Sequence, residues 1–389
     1  MLKGGGQYDY TTAAILALCE GPINKVNVMW SGGQGSFEPF TQNLTIFDGT
    51  ASQAPPSWME SNFPSQALAY AYTAYAFSDL LQLNQSPFIP DYTYEVRGIF
   101  YGSVAGFNDV NPADVINDFL TNAQYGVGLA GTYIDPASLA FYKTYCTAQS
   151  LFFSPALTDQ EQAMTTLQRW AQLTNTWIFW SGGVLKFVPL GDSEIVANGT
   201  TYIPNLTIVY SFNYDDFQIT DEDPDSSPLI IQRIDPADGY NRVQIDVSDR
   251  TNQYNSTPVY WEDLTNETEY GELQAVIVSA PEVCSLNIAA VMAALIGQRA
   301  VWLRNNYSFK LPYWAVLLEP GDIVSLTDPL IGITNFLVRI TSVTEESDQV
   351  LTVTAEEFPQ GIGTAYPIAV QVSGGAMSFN SAAIPPPVN

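Results

Sequence analysis

The chain has 389 residues, which at the usual ~100–200 per domain allows about two or three domains. It carries 13 basic and 40 acidic residues, a formal net charge of -27, and no histidine, which removes the commonest general base and metal ligand and with it Ser-His-Asp triads, Cys-His dyads and histidine-bound zinc. Hydrophobic residues at 46% and aromatic residues at 13% exclude a disordered chain, and charged residues at 14% require a surface that is largely uncharged polar and aromatic.

Strand signals dominate. Val26 to Trp30, Asn43 to Phe47 and Tyr92 to Phe100 alternate β-branched or aromatic residues with polar ones between Gly, Pro and Asn. Ala67 to Phe77 sets Leu68, Tyr70 and Tyr72 on one period-two face and is expected to be strand, although its alanines would also tolerate helix. After Gly106 the pattern changes. Asn111-Pro112-Ala113-Asp114 supplies a cap, a first-turn proline and an early acid, followed by Val115, Ile116, Phe119 and Leu120 at helical spacing. Thr158 with Glu161 reads as a capping box for a helix carrying Met164, Leu167, Trp170 and Ala171 and ending near Leu173. Thr176 to Trp180 and Val184 to Val188 then flank Ser181-Gly182-Gly183 as a hairpin.

From Ile203 strands return, over Leu206 to Phe212, Leu229 to Ile234, Arg242 to Val247 and Leu273 to Ser279. A long helix interrupts them, with a capping box expected from Ser279 and Glu282 and an apolar face of Val283, Leu286, Ala290, Ala293, Ile296 and Ala300, wide enough to imply burial. Asp322 to Thr327, Phe336 to Val343 and Val350 to Ala355 are separated by turn residues and predict an antiparallel meander. Pro359 to Asn389 has no charge and is rich in Gly, Ala, Ser and Pro, which marks an arm.

Cys19, Cys146 and Cys284 lie far apart with no C-x-x-C spacing, so neither a disulfide framework nor a thiolate metal site is indicated and three buried thiols are expected. Met1 to Gln7 precedes no apolar core of the kind a signal peptide needs. The longest apolar run, near Ala289 to Ile296, falls far short of the roughly 18–20 residues that span a bilayer. The acidic excess opposes adhesion to phosphate backbones and anionic membranes.

Asp221-Glu222-Asp223-Pro224-Asp225 begins like a calcium loop, but counting from Asp221, position six is Ser226 and position twelve is Gln232, where Gly and Glu are needed. A solvated acidic loop is expected. Gly32-Gly33-Gln34-Gly35-Ser36 lacks the following lysine and helix of a phosphate cradle. No catalytic, cofactor-binding or metal-binding residue is therefore assigned. The residues alone describe an acidic, β-rich structural or binding protein, whose aromatic content hints at assembly because aromatics are enriched in interface cores.

Several phrases resemble, in order over about residues 15 to 358, the tail hub and tail tip proteins of long-tailed bacteriophages and gene transfer agents. They are Cys19-Glu20-Gly21-Pro22-Ile23; Asp48-Gly49-Thr50 through Gln53 to Pro56; Ala67-Leu68-Ala69-Tyr70; Tyr94-Glu95-Val96; Asn111 to Ile116 with Tyr125-Gly126-Val127-Gly128; Asp235-Pro236-Ala237 with Tyr240-Asn241-Arg242-Val243; and Glu319-Pro320-Gly321-Asp322. Ala71 departs from a family phrase that often has Arg or another polar residue there.

The resemblance implies a mainly β protein with some α: two tail-tube-like antiparallel β-barrels, a small α/β domain and a helical insertion. On that plan residues 1–104 form the first barrel, 105–195 a peripheral α/β domain, 196–358 the second barrel with an insertion around 255–310, and 359–389 the arm, which is expected to pack on a partner or line the tip. It implies a homotrimeric, non-enzymatic baseplate hub without cofactors, located in the virion at the tail tip and assembled in the host bacterial cytoplasm. The implied partners are a hexameric distal tail or tail-tube ring protein, the tape-measure protein, and a tip fibre or receptor-binding protein, with DNA passing through unbound. The rivals are a carbohydrate-binding tail protein using exposed Trp and Tyr, and a tail-associated glycosidase using a carboxylate pair.

Overall fold

A computed structural model describes residues 9–365, apart from 32–33, 38, 40–42, 100–107, 159, 219–226, 236, 238, 275–276 and 347–348. The acidic loop 221–225, Gly32 and Gly33 of the 32–36 loop, Asp159 of the expected capping box and most of the arm lie outside the described residues, whereas Gly35 lies in a short strand. The chain divides into two compact units on either side of position 102.

The first unit holds β1 (Tyr10–Glu20), β2 (Lys25–Ser31), β3 (Gln34–Phe37), β4 (Thr45–Phe47), α1 (Ser57–Asn62), β5 (Thr73–Asn84) and β6 (Tyr92–Arg97). Two three-stranded antiparallel sheets, ordered β1-β5-β4 and β3-β2-β6, share a small core of Met29, Leu44, Ala76, Leu81 and Leu83, against which Leu16 and Tyr94 pack. The expected strand over Ala67 to Phe77 begins only at Thr73. Tyr70 and Tyr72 adopt left-handed φ angles of 49° and 64°, so the backbone turns where period-two alternation reads as straight. Cys19 is exposed, not buried as expected, because it continues the outward row of Ala13, Ile15 and Ala17 on β1.

The second unit opens with α2 (Pro112–Thr121), α3 (Pro136–Gln149), α4 (Ala163–Leu173), the hairpin β7 (Thr176–Ser181) and β8 (Val184–Pro189), and the short pair β9 (Ile195–Ala197) and β10 (Thr200–Tyr202). The Asn111 side chain accepts from the Ala113 N–H at 2.9 Å, and its amide donates to the Lys143 carbonyl and the Thr147 hydroxyl, each at 3.0 Å, which ties α2 to α3. Helix α4 starts at Ala163, later than expected, because Glu161 accepts from Thr166 and Arg169 instead of capping a helix at Thr158.

There follow β11 (Ile208–Phe212), β12 (Ile230–Arg233), β13 (Arg242–Asp249), β14 (Asn255–Glu262), α5 (Leu264–Tyr270), β15 (Val278–Ala280), α6 (Leu286–Trp302), β16 (Asn305–Pro312), β17 (Ile323–Asp328), β18 (Ile333–Glu345) and β19 (Val350–Glu357). Six of them form one sheet, ordered β11-β17-β18-β19-β16-β12. The expected meander β17-β18-β19 is its antiparallel centre, whereas β11 lies parallel to β17.

Helix α6 lies on the three-stranded sheet β14-β13-β15. It starts at Leu286, and the expected box of Ser279 and Glu282 does not form. The carbonyls of Val283 and Cys284 accept from Ser248 and Arg250, so this stretch continues the sheet edge before the helix begins. Ala290, expected on the buried face, is exposed, while Ile288, Met292 and Leu295 are buried.

One core runs through Tyr142, Tyr145, Phe153, Trp170, Phe187, Val243, Ile245 and Ile288, so the α/β part and the α6 sheet are packed as one body. A second fills the six-stranded sheet with Phe212, Phe309, Val324, Ile340 and Val353. The protein is mixed, mostly β, and among the described residues no sheet closes into a barrel.

Candidate functional surfaces

The motif glycines of the first unit meet in space. A Cβ on Gly21 would stand 2.6 Å from the Gly49 Cα, and Gly49 has a φ of 81°, so neither position admits a side chain without movement. The Gly49 N–H donates to the Gln53 side chain at 2.8 Å, and the Gln53 amide donates to the carbonyls of Ala69, Tyr70 and Thr73 at 2.8, 2.7 and 3.0 Å. Gln53 thereby holds the turn that presents Leu68, Tyr70 and Tyr72, the last 60% exposed. Ala71 sits exposed at the same turn.

In the second unit, several acidic side chains form ion pairs or anchor backbone. Arg169 joins Glu161 at 2.8 Å to Glu282 at 3.0 Å. The hydrogen bonds from Arg169 and Thr166 lower the Glu161 carboxyl to about 2, while burial raises that of Glu282, which is 2% exposed. Glu319 accepts twice from the Lys186 ammonium at 2.7 Å and also from the Ser181 hydroxyl. Asp192 accepts from the N–H groups of Gly361, Ile362 and Gly363 at 2.8, 3.0 and 3.0 Å and so fastens the chain after β19. Arg339 is 5% exposed, donates to the Leu190 carbonyl at 3.2 Å, stands over the Phe358 ring, and is lowered to about 10 by burial. Among the described residues, no three His, Cys, Asp or Glu side chains converge as a metal site.

A cleft of about 890 Å³ opens beside β7. Leu167, Leu185 and Ile296 form apolar wall, Asn175 and Arg299 supply polar groups, and Trp180 and Met164, each more than half exposed, stand at the surface. Arg299 is occupied by Glu356 at 2.8 Å. Tyr133 meets Trp180 edge to face with ring centroids 6.4 Å apart. Elsewhere in this unit apolar side chains crowd the surface at Tyr313, Trp314 and Leu317, and at Ile230 and Ile231 on the edge strand β12. The cleft carries no local sequence signature, because its walls come from α2, α4, β7, β8 and α6. Only the aromatic density of Trp177 to Trp180 pointed toward it.

Open sheet edges and exposed apolar side chains are features suited to association with other chains. Residues 162–343 match the family described as "Putative phage tail protein", in agreement with the phage tail resemblance of the sequence motifs. No curated protein matches the chain. Among solved structures, a chain of the virion of a native gene transfer agent particle is 18% identical, with 92% of this chain and 81% of that chain covered and a TM-score of 0.58, a likeness of fold. The 43 kDa tail protein of prophage MuSo2 from Shewanella oneidensis is 11% identical over 90% of this chain and 99% of that one, with a TM-score of 0.38. A tail protein from Neisseria meningitidis MC58 is 12% identical over 59% and 68%, with a TM-score of 0.36. No helix among the described residues is long and apolar enough to cross a membrane.

Proposed function

We propose that this chain is a structural, non-enzymatic protein of a phage-type virion, the tail hub at the distal end, where a homotrimer adapts a hexameric tail-tube ring to a trimeric tip and forms a conduit for tape-measure protein and DNA. The observation that carries this reading is the phage tail family match over residues 162–343, supported by the fold shared with a gene transfer agent virion chain. On this reading residues 1–104 and 196–358 are the two tube-like units, whose sheet edges at β1, β11 and β12 are completed by neighbouring chains. Residues 105–195 are peripheral, the α6 region is an insertion around 255–310, and 359–389 is an arm. Open apolar edges favour strand pairing with another chain, and a net charge of -27 suits a wall along which DNA slides without adhering.

The test is the mass of the purified chain by light scattering, alone and with the neighbouring ring protein. A mass near three times 42.6 kDa, in either condition, is expected. A monomer that ignores the ring overturns the hub reading. The exposed Trp180 and Tyr133 beside the cleft favour a second reading, a tail protein that recognises carbohydrate through aromatic faces; it requires glycan affinity of the monomer that is lost in Trp180→Ala. A tail-associated glycosidase is the remaining rival, and it requires glycan hydrolysis that disappears when one carboxylate pair is replaced.

A further inference from the structure

The second unit contains two cores with no residue in common. One runs through the α/β part and the α6 sheet, and the other fills the six-stranded sheet. Among the described residues no strand of the six-stranded sheet packs extensively on an element of the other core. The bonds that cross the boundary include Lys186 to Glu319 at 2.7 Å, Arg299 to Glu356 at 2.8 Å and Arg339 to the Leu190 carbonyl at 3.2 Å. The cleft beside β7 lies on this boundary, with α4, β7 and α6 on one side and Pro320 and Thr341 on the other. Bodies with separate cores and a polar interface move relative to one another unless something holds them, so whatever holds this boundary shut sets how wide the cleft stands.

The segment Gly361–Ala365 crosses the boundary last. It leaves the six-stranded sheet after β19 and ends in the other core, where Ala365 is buried. Side chains of that other body grip its main chain. The Asp192 carboxylate, in a residue only 4% exposed, accepts from the N–H groups of residues 361–363 and from the Thr364 hydroxyl, the last at 3.3 Å. Gln149, at the end of α3, donates to the Ala365 carbonyl at 2.6 Å, and Asn175, just before β7, donates to the Gly363 carbonyl at 3.4 Å. Gln298 of α6, with its amide nitrogen turned toward the segment, donates to the Ile362 and Thr364 carbonyls at 2.9 and 3.2 Å. A Cβ on Gly363 would stand 2.3 Å from the Leu190 carbonyl oxygen, so the seat admits only glycine there. Asn175 and Leu190 also line the cleft.

We propose that Gly361–Ala365 is a latch, with Asp192 as its catch, that holds the six-stranded sheet against the α/β part and thereby sets the opening of the cleft. Its construction makes release local. The bonds that break are hydrogen bonds to main chain, which water replaces at small net cost, and Ala365 is the one core residue that leaves. The opening is therefore a sub-global event that leaves both cores folded. The latch does not rest on the hub reading, which the assembled mass tests.

Amide hydrogen exchange and a distance measurement test it. In the parent chain the amides of residues 361–363 are expected to exchange at least tenfold faster than the buried amides of α6 and β19. Gly363→Ala disturbs only the seat, because the backbone there lies outside the left-handed region, and Asp192→Asn keeps the shape of the catch and removes its charge. Each is expected to raise exchange at 361–363 by at least a further tenfold and to leave α6 and β19 unchanged. Spin labels are placed through Ala140→Cys on α3 and Thr334→Cys on β18, both exposed, in a chain whose exposed Cys19 is replaced by Ser. They are expected to give one narrow distance distribution with the parent latch and one broadened or displaced by about 5 Å or more with Gly363→Ala. An unchanged distance with the segment released overturns the proposal. Loss of protection throughout α6 and β19 together with the segment overturns it as well, since the segment then belongs to the core. Exchange at 361–363 as slow as in α6 overturns it in the parent chain without any variant.

Discussion

Gln53 illustrates how a single side chain fixes a surface. Its amide and carbonyl make four hydrogen bonds to the backbone of Gly49 and of the Ala69–Thr73 turn. At ~0.5–1.5 kcal/mol net for each bond, and with the site half-buried, Gln53→Ala is expected to destabilise the first unit by about 2 kcal/mol. Limited proteolysis near Tyr70 should accelerate accordingly, while the second unit melts as before. Arg169 has the corresponding role in the second unit. Arg169→Met leaves the Glu282 carboxylate buried and unpaired, and a loss of about 3 kcal/mol in denaturant unfolding is expected, at the low end of the ~3–5 kcal/mol range because Arg169 is partly exposed. The further change Glu282→Gln should recover part of it.

The pH dependence of this triad has two signs. The Glu161 carboxyl, lowered from 4.5 to about 2, contributes stability that is complete above 4.5 and lost as pH falls through 2. Because Glu161 is partly exposed, that contribution is at most about 1 kcal/mol. The Glu282 carboxyl, raised by burial, acts oppositely and relieves the fold when it is protonated. The difference between the parent and Arg169→Met should therefore narrow between pH 5 and pH 2, which acid titration of unfolding measures.

At the level of elements, caps and close contacts decide where helices sit. Asn111 both caps α2 and ties it to α3, so its replacement affects two helices. Helix α6 approaches β14 closely because Gly297 faces Trp261. A Cβ on Gly297 would lie 1.9 Å from Trp261 Cε3, so Gly297→Ala forces the helix or the indole to move. A loss of about 1–3 kcal/mol is expected from such overpacking, and Trp261→Leu in the same chain should return most of it in a denaturant midpoint. Neither of the two expected capping boxes forms. A capping box is a local pattern, but Glu161 and Glu282 are both drawn to Arg169, a partner that no spacing rule identifies.

For the whole molecule, the excess of acidic over basic residues and the apolar edges pull in different directions. Charge repulsion opposes association, whereas the exposed Ile230, Ile231, Trp314 and Leu317 favour it. Assembly is therefore expected to strengthen with salt, which screens the repulsion and leaves apolar burial intact. Light scattering at rising ionic strength should show the larger species gaining; dissociation on adding salt would instead mean that ion pairs hold the assembly. On the proposed hub reading, the lumen of a trimer is expected to be net negative, and a wall lined by Lys and Arg would exclude a sliding conduit.

Composition and pattern determined much of this. The missing histidine, the acidic excess, the hairpin around Gly182, the helix after Asn111 and the meander after Asp322 are local or additive properties, and each is legible without a neighbour. The phage tail resemblance was legible in the same way, since motifs survive as short phrases. Other features required the tertiary structure. The turn at Tyr70 depends on Gln53, 17 residues away in sequence. The parallel edge β11 depends on a strand more than 100 residues later. The core that runs through Trp170, Val243 and Ile288, and the cleft along β7, arise only when distant segments pack. Hydrogen bonds and burial act through space, and sequence spacing reports on them only within a helix turn or a hairpin.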